Sequence, residues 1–426
     1  AKDAALEYAG EHIGGALWQY FEGKADAQSA LSAMRAASRM TRGRLSKSAV
    51  RALYGDTLRL SASQMDKARA CHFAYFLRYG LRAKERTGAG FDAPQIGTFV
   101  HDVMEHTLRA AKARGGLHTL EKSELHALVR AAIADYRSRV LADLSEKSAR
   151  FRYLFDRLCG STERIMDEVA DELKHSDFEP VAFELAFGPN GQLPAVTVCE
   201  KGNIARVVGK VDRVDGWEHG GRLYLRVVDY KTGKKTFDLA ELRYGLGLQM
   251  LLYLFTLEKH GAERYGKEIV PAGVLYVPAH DILVRADKRL SDEEIVAEKA
   301  RKLHRSGLIL SETEVVEAME HGEALQFLPL YRGKLAAEAL ATAEQLGKLS
   351  RFLEETLSNM AGELRGGSIT ADPWYENDRA NTCRTCDYCD ACRFSETADG
   401  WRFKTKFKAP EFWEKLENGE EETACP

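Results

Sequence analysis

The sequence predicts an α/β protein, a central mixed sheet flanked by helices with helical arms on both sides. Hydrophobic periodicity is helical up to about residue 175, becomes strand-like between Val181 and Thr232, and is helical again over 239–260 and 291–363. A wholly apolar run, Ala272–Pro278, lies between those last two stretches. The composition agrees. Of 426 residues, 45% are hydrophobic and 29% charged, with only 10 Pro, so the chain can bury a core and is neither disordered nor fibrous. The length allows two or three domains, or one enlarged α/β unit with helical insertions.

Residues 1–60 carry helix formers and apolar positions such as Leu31, Met34 and Val50, and read as a helical lead-in, a linker or the end of a preceding domain. Between Ala27 and Gly55 stand Arg35, Arg39, Arg42, Arg44, Lys47 and Arg51 with no acidic residue. Such a run is usually a solvated face, and DNA contact is the less frequent alternative. Ser61 and Ser63 open a capped helix that runs to Tyr79 and holds Cys71 inside it. Gly97 to about Ala113 is amphipathic helix, and 121–175 continues as long charged helices. Strands are expected at 181–187 and 204–214, a turn-rich bridge at Asp215–Gly221, and a strand at 223–232. A helix at 239–260 precedes the apolar strand, and helical periodicity over 291–363 is interrupted near Leu325–Tyr331.

Sixty-one basic against 64 acidic residues leave a formal charge of -3, so a nucleic-acid partner must be held by local patches. No apolar run approaches the ~18 residues of a membrane span, and no charged-then-apolar leader opens the chain, which reads as soluble and cytoplasmic with no membrane partner. The start at Ala1, leading directly into helix, fits a piece of something longer. Four of the eight Cys fall within ten residues (Cys383, Cys386, Cys389, Cys392), while Cys71, Cys159, Cys199 and Cys425 are scattered. A tight cluster in a long chain indicates metal or cluster ligation rather than a disulfide framework.

In the strand 223–232, alternation places Asp229 and Lys231 on one face with Leu225 and Val227, and Tyr230 on the other. Burying a carboxylate and an ammonium at the end of an apolar face costs several kcal/mol unless they are well paired. Asp212 lies on the preceding strand, and the short connection makes the two strands antiparallel neighbours. Two carboxylates at one point favour a divalent cation, and oxygen ligation favours Mg²⁺ or Mn²⁺. Each fragment alone reads more simply as a strand-end ion pair or turn charge; their combination points to metal-assisted phosphodiester hydrolysis, with Lys231 offsetting developing charge. His101 and Glu105, four apart, stack on one helix face, as do Gln249 and Tyr253. His101 is a possible nitrogen ligand, although a lone helical His is more often solvated or simply hydrogen-bonded.

The ordered set Gly97-x₃-His101-x₃-Glu105, Gly209-x-Val-Asp212-Arg-x-Asp215, Asp229-Tyr-Lys231-Thr-Gly233 and Gln249-x₃-Tyr253 resembles the RecB-family nucleases of the PD-(D/E)XK superfamily, which have a restriction-endonuclease-like core. Cys71 before these motifs and Cys383-x₂-Cys386-x₅-Cys392 after them are similar to the iron–sulfur nuclease domains of AddB-type subunits of AddAB helicase–nucleases. Cys71-His-Phe-Ala-Tyr-Phe-Leu, Leu275-Tyr-Val-Pro278 and Arg305-Ser-Gly-Leu-Ile-Leu310 resemble them too, so the likeness runs from about Leu60 to about Phe394.

The resemblance implies that His101, Asp212 and Asp229 bind the metal, with the Tyr230 carbonyl as a further ligand. It makes Lys231 the catalytic lysine, supported with the DNA backbone by Gln249 and Tyr253. It implies a [4Fe–4S] cluster on Cys71, Cys383, Cys386 and Cys392, structural in role because Cys71 and Cys383 are 312 positions apart and their linkage ties the chain's ends together. The expected activity is Mg²⁺-dependent exonucleolytic cleavage of single-stranded DNA by metal-activated water, on the 5′-terminated strand during double-strand-break processing. The expected partner is an AddA-type helicase–nuclease subunit in a heterodimer. Residues 61–400 are then the nuclease domain, and 401–426 a basic, aromatic tail whose Arg402, Phe403, Phe407 and Lys408 touch DNA together with the stretch 35–51.

The chain departs from the family pattern at Cys389, which makes an unbroken C-x₂-C-x₂-C-x₂-C run and leaves open ligation by those four alone, or Zn²⁺ in place of iron. Cys71 is the preferred ligand, since a Cys amid a polar-aromatic helix otherwise lacks a task, though the commonest fate of a free Cys is as a small buried hydrophobe. A full-length AddB protein is far longer. Thr232-Gly-Lys-Lys-Thr236 is only an echo of a P-loop, so this chain alone should bind no ATP. The rivals are a stand-alone iron–sulfur exonuclease of the CRISPR spacer-acquisition type and a non-catalytic DNA-binding scaffold with structural zinc.

Overall fold

A computed structural model describes residues 15–17, 19–32, 42–84, 93–141, 148–200, 203–233, 235–280, 290–322, 324–396, 399–405 and 408–418. Along the chain, Ser46 caps α1 (Lys47–Tyr54), β1 (Leu58–Leu60) follows, and α2 (Ala62–Ala70) starts at a capping box of Ser61 and Gln64. The expectation of helix throughout 1–60 fails at β1, which pairs in parallel with a later strand. Cys71 is not within a helix either. Its backbone is extended (φ -170°), breaking the run between α2 and the single turn α3 (His72–Tyr75).

Three long helices come next: α4 (Ala93–Lys112), α5 (Lys122–Tyr136, its last turn widening over Arg137–Leu141) and α6 (Ala149–Lys174). The expected strand 204–214 is in fact two. After β2 (Glu179–Phe187), β3 (Val196–Glu200) and β4 (Asn203–Val207) form a small sheet with β1, and the ladder breaks at Val208 before β5 (Gly209–His219). β5 runs through the predicted turn-rich bridge. The turn itself is Gly220–Gly221, both at positive φ (58° and 78°), the conformation a two-residue hairpin requires, and β6 (Arg222–Lys231) returns beside β5.

The helix expected at 239–260 is split into α7 (Leu239–Arg243) and α8 (Gln249–Tyr265), which carry the crossover to β7 (Glu268–Pro278), parallel to β6. The stretch 291–363 is less helical than its periodicity predicts. α9 (Asp292–Leu303) is followed by β8 (Ser306–Leu310), α10 (Thr313–Met319), the short hairpin of β9 (Leu330–Tyr331) and β10 (Lys334–Leu335), and β11 (Leu340–Ala341), before α11 (Ala343–Arg365). Burial explains the error, since Gly307–Leu310 are fully buried and a strand buried on both faces shows no alternation. The C-terminal part holds β12 (Trp374–Asn377), β13 (Ala380–Asn381), the short α12 (Cys389–Cys392), β14 (Arg402–Phe403) and α13 (Ala409–Asn418).

The main sheet is mixed, in the order β11-β8-β7-β6-β5-β2. On one face Val214, Leu225 and Val227 pack against Leu251 and Leu254 of α8 and Leu353 of α11. On the other, Phe183, Val228, Tyr230 and Val277 pack against Phe99, Val103 and Met166 of α4 and α6. Position 60 marks no break in packing, because Leu58 and Leu60 share a core with Phe412 and Trp413 of α13. Among the described residues no helix is long and apolar enough to cross a membrane.

Candidate active site

The Gly220–Gly221 turn sets the register Arg213↔Val228 and Val214↔Val227, whose continuation places Asp212 opposite Asp229. Alternation then turns Asp229 with Val227 toward α8, and Tyr230 with Val228 toward α4 and α6. The Tyr230 amide donates to Asp212 Oδ2 at 2.9 Å. Asp229 is 6% exposed, and its Oδ2 forms an ion pair with Lys231 Nζ at 2.5 Å. Burial, and then repulsion from Asp212, push Asp229 up to about 6, against the pull of Lys231. The two carboxylates face each other across the strand pair and repel, which favours a cation, and their oxygen donors suit a hard one.

α4 delivers His101 to the strand end. Its Nε2 donates to the Tyr230 carbonyl at 2.9 Å, and Nδ1 lies 3.3 Å from Asp212 Oδ1. Burial lowers the imidazole's proton affinity, but the Asp212 carboxylate and the Tyr230 carbonyl outweigh it and raise it overall. Glu105 pairs along the helix with Arg109 at 2.8 Å.

A residue not singled out from the sequence joins the site. Glu184, His101 and Asp212 each offer a donor atom within 4.8 Å of the others. Glu184 is bracketed by the pairs Phe183↔Arg213 and Leu185↔Val211, which puts it opposite Asp212, and its φ of +49° costs roughly 1–3 kcal/mol for a residue with a side chain. The signal was an acid in the middle of the otherwise apolar Val181–Phe187. Lys210 pairs with its carboxylate.

Gln249 and Tyr253 also meet, Nε2 donating to the hydroxyl at 3.4 Å. Tyr253 stacks on Phe187 (5.0 Å, 9°) and presses on Gly209, where an added Cβ would lie 1.8 Å from the hydroxyl. The glycine of the Gly209-x-Val-Asp212 motif is thus a close approach of backbone to ring.

Behind the site, on the Tyr230 face, lies a buried network. Asp215, read from the sequence as part of a turn, is fully buried and accepts from Arg213 Nη2 (3.0 Å) and Arg226 Nε (2.9 Å). Glu172 of α6 accepts from Arg305 Nη2 at 2.7 Å, and Arg213 Nη1 donates to the Tyr230 hydroxyl at 2.8 Å. Burial raises the Glu172 carboxyl, but Arg305, Arg213 and Arg226 outweigh it and hold it at about 2.

The cysteines gather elsewhere. Cys71, Cys383, Cys386, Cys389 and Cys392 line one cavity of about 280 Å³ with Phe73, Pro373, Phe394 and Trp401. Burial, and then the neighbouring thiols with Cys71 foremost and Cys389 last, push Cys383 up to about 11. Soft donors in an apolar pocket suit an iron–sulfur cluster or zinc. Cys71 is buried, whereas Cys389 is exposed, its Sγ 3.7 Å from Asp390 Oδ1. Arg42 donates to Cys392 O (2.7 Å) and Sγ (3.4 Å) and to Asp399 (3.2 Å). His72, next to Cys71, lies between Asp372 (2.7 Å) and Glu363 (3.2 Å); burial opposes its charge, but those carboxylates lift it to about 9.

These contacts withdraw Arg42 and Arg402 from the two expected DNA-contacting stretches. Arg42 is engaged in the cysteine region, Arg51 pairs with Asp56 at 2.8 Å, and Arg35 and Arg39 lie outside the described residues. Arg402 is a clamp that donates to the Asp372 and Arg69 carbonyls (2.6 Å each) and stacks on Trp374. Phe403 is exposed, and Phe407 lies outside the described residues.

A family model of the PD-(D/E)XK nuclease superfamily matches residues 59–393. Curated relatives include proteins named as the second of the subunits of an ATP-dependent helicase/deoxyribonuclease. The one from Thermoanaerobacter sp. (strain X514) is 30% identical over 378 residues, covering 86% of this chain and 33% of that protein. That from Caldanaerobacter subterraneus subsp. tengcongensis is 32% identical over 360 (82% and 31%), and that from Pelotomaculum thermopropionicum 33% over 358 (82% and 31%). The chain spans about a third of the length of these relatives.

Proposed function

Since the chain belongs to the PD-(D/E)XK nuclease superfamily, we propose that it is the nuclease module of an AddAB-type helicase–nuclease, a metal-dependent exonuclease acting on single-stranded DNA. The observation that carries this reading is the juxtaposition of Asp212 and Asp229 with Lys231 beside them. In this reading a partner subunit follows the relatives' names, and its AddA type, the break-processing role and the 5′-terminated strand follow the resemblance.

Asp212, Asp229, the Tyr230 carbonyl, His101 and Glu184 would hold Mg²⁺ or Mn²⁺, which when bound supplies Lewis-acid polarisation of the scissile phosphate and its attacking water. Asp229 serves in its ionised form. Lys231, relieved of part of its pairing, directs its ammonium at charge developing on the phosphate oxygens. Before a metal binds, His101 fixes Asp212 and the Tyr230 carbonyl relative to each other, and Tyr253 holds the start of β5 in place through Gly209. Release of nucleotides from end-labelled single strands under metal titration tests the reading. Asp229→Ala and Lys231→Ala should each lower the rate about 10²–10³-fold or more; wild type and both variants equally inert on every strand and metal would refute it.

In the cysteine cavity, Cys71, Cys383, Cys386 and Cys392 would hold a [4Fe–4S] cluster, supported by the burial of Cys71 and by the Arg42 bond to Cys392. Iron content and absorbance near 400 nm should collapse in Cys71→Ala and persist in Cys389→Ala. The reverse pattern would assign the ligands to the local four-cysteine run.

A further inference from the structure

The helices that brace His101 end in a surface that neither the site nor the cysteine cavity uses. Phe99, two residues before His101, is met edge-on by Tyr136 of α5 (5.0 Å) and Phe155 of α6 (5.2 Å). The end of α5 also reaches the residue after His101, where Arg139 Nη2 pairs with Asp102 Oδ2 at 2.8 Å, and residues adjoining the Tyr136 and Phe155 rings are exposed. On α6, Arg150, Tyr153, Leu154 and Arg157 follow i, i+3, i+4, i+7 spacing and make one stripe. Tyr153 is 61% and Leu154 45% exposed, and Val140 at the end of α5 is 52% exposed.

Among the described residues, the Arg137, Arg150, Arg152 and Arg157 side chains have no ion-pair or hydrogen-bond partner. The described parts of 137–157 contain one acidic residue, Asp156, which helical spacing places off the stripe. Among the described residues, these cations around an exposed ring have no counter-charge within ion-pair distance. The stripe's two arginines stand ~10 Å apart along the helix, leaving a phosphate for each and a base for the ring between them.

The geometry points to this stripe as a platform for the single-stranded DNA, its phosphates on Arg150 and Arg157 and a base stacked on Tyr153. The inference rests on the nuclease reading above. A polyanion answers the stripe's two like charges directly, whereas a protein partner would need a matched set of acids.

The test is anisotropy of a labelled oligothymidylate with the full chain in EDTA, where nothing is cut, over a salt series. Arg150→Gln with Arg157→Gln should weaken binding about tenfold and flatten the slope of log affinity against log salt by about 1.4, two contacts at ~0.7 each. Tyr153→Ala should weaken it roughly tenfold at unchanged slope. Unchanged melting temperatures would exclude misfolding in these exposed positions. Wild type that binds DNA but never cuts it would sink the nuclease reading and leave the platform standing. Wild type that cuts, with variants of wild-type affinity and slope, overturns the platform. So does loss of partner-subunit binding with DNA affinity intact, which would reassign the stripe to a protein.

Discussion

On one face of the β5–β6 pair, Arg213 and Arg226 close round Asp215 and, with Arg305, round Glu172; on the other, one residue along each strand, Asp212 and Asp229 stand opposite each other beside Lys231. Both groups are withdrawn from water, yet their carboxylates respond in opposite directions. Glu172 is held at about 2 because three guanidinium groups exceed its desolvation. Asp229 is lifted to about 6 because one ammonium does not offset burial and a second carboxylate. Depth of burial therefore does not by itself decide which way a carboxylate shifts. The neighbouring charges set the direction: a carboxylate that its own surroundings leave undercompensated is one that would gain from a cation.

Glu172→Gln should break the comparison most strongly on the structural side, costing about 3–5 kcal/mol in denaturant unfolding, because buried Arg305 would lose its carboxylate and Arg213 and Arg226 would share Asp215 alone. A loss below ~1 kcal/mol would mean water already reaches that network. On the site side the sign reverses. Asp229's raised value means that stability present below the unfolded value of 3.8 is lost as pH rises through about 6. In the metal-free protein Asp229→Asn should thus gain roughly 1–3 kcal/mol at neutral pH, a gain that vanishes near pH 4 and that added Mg²⁺ narrows by stabilising only the wild type.

The two faces should also separate on acidification. Activity at subsaturating Mg²⁺ should fall as pH drops through about 6, while the Glu172 contribution, present above the unfolded value of 4.5, is lost only toward about 2. Parallel rate and melting profiles check this, and coincident midpoints would contradict it. The smallest effect belongs to Glu184→Gln, which should weaken apparent Mg²⁺ affinity about tenfold and leave the rate at saturating metal nearly unchanged. A collapse at saturating metal would give Glu184 a larger part than that of an auxiliary ligand.

Much of the site was legible because its parts are local. Asp229 and Lys231 alternate on one strand, His101 lies on an amphipathic helix, Gln249 and Tyr253 are one turn apart, and a short connection brings Asp212 alongside. Glu184 escaped notice because its place depends on pairing between β2 and β5 and on a backbone irregularity that no local pattern announces. Arg42 and Arg402 were misread for a related reason. A basic residue looks the same on paper whether it faces solvent or a carbonyl and thiol hundreds of positions away, as Arg42 does with Cys392. Strand β8 was taken for helix because burial on both faces erases the alternation that identifies a strand.

Local pattern by itself therefore determined the fold class, the two central strands and most residues of the candidate metal site, since periodicity and short turns act over a few residues. Only the tertiary structure decided which charges are mutually satisfied, that Glu184 joins His101 and Asp212, and that Cys71 meets the distant cysteine run. Those outcomes depend on which desolvated groups come within a few ångströms after folding, a distance that separation along the chain does not encode.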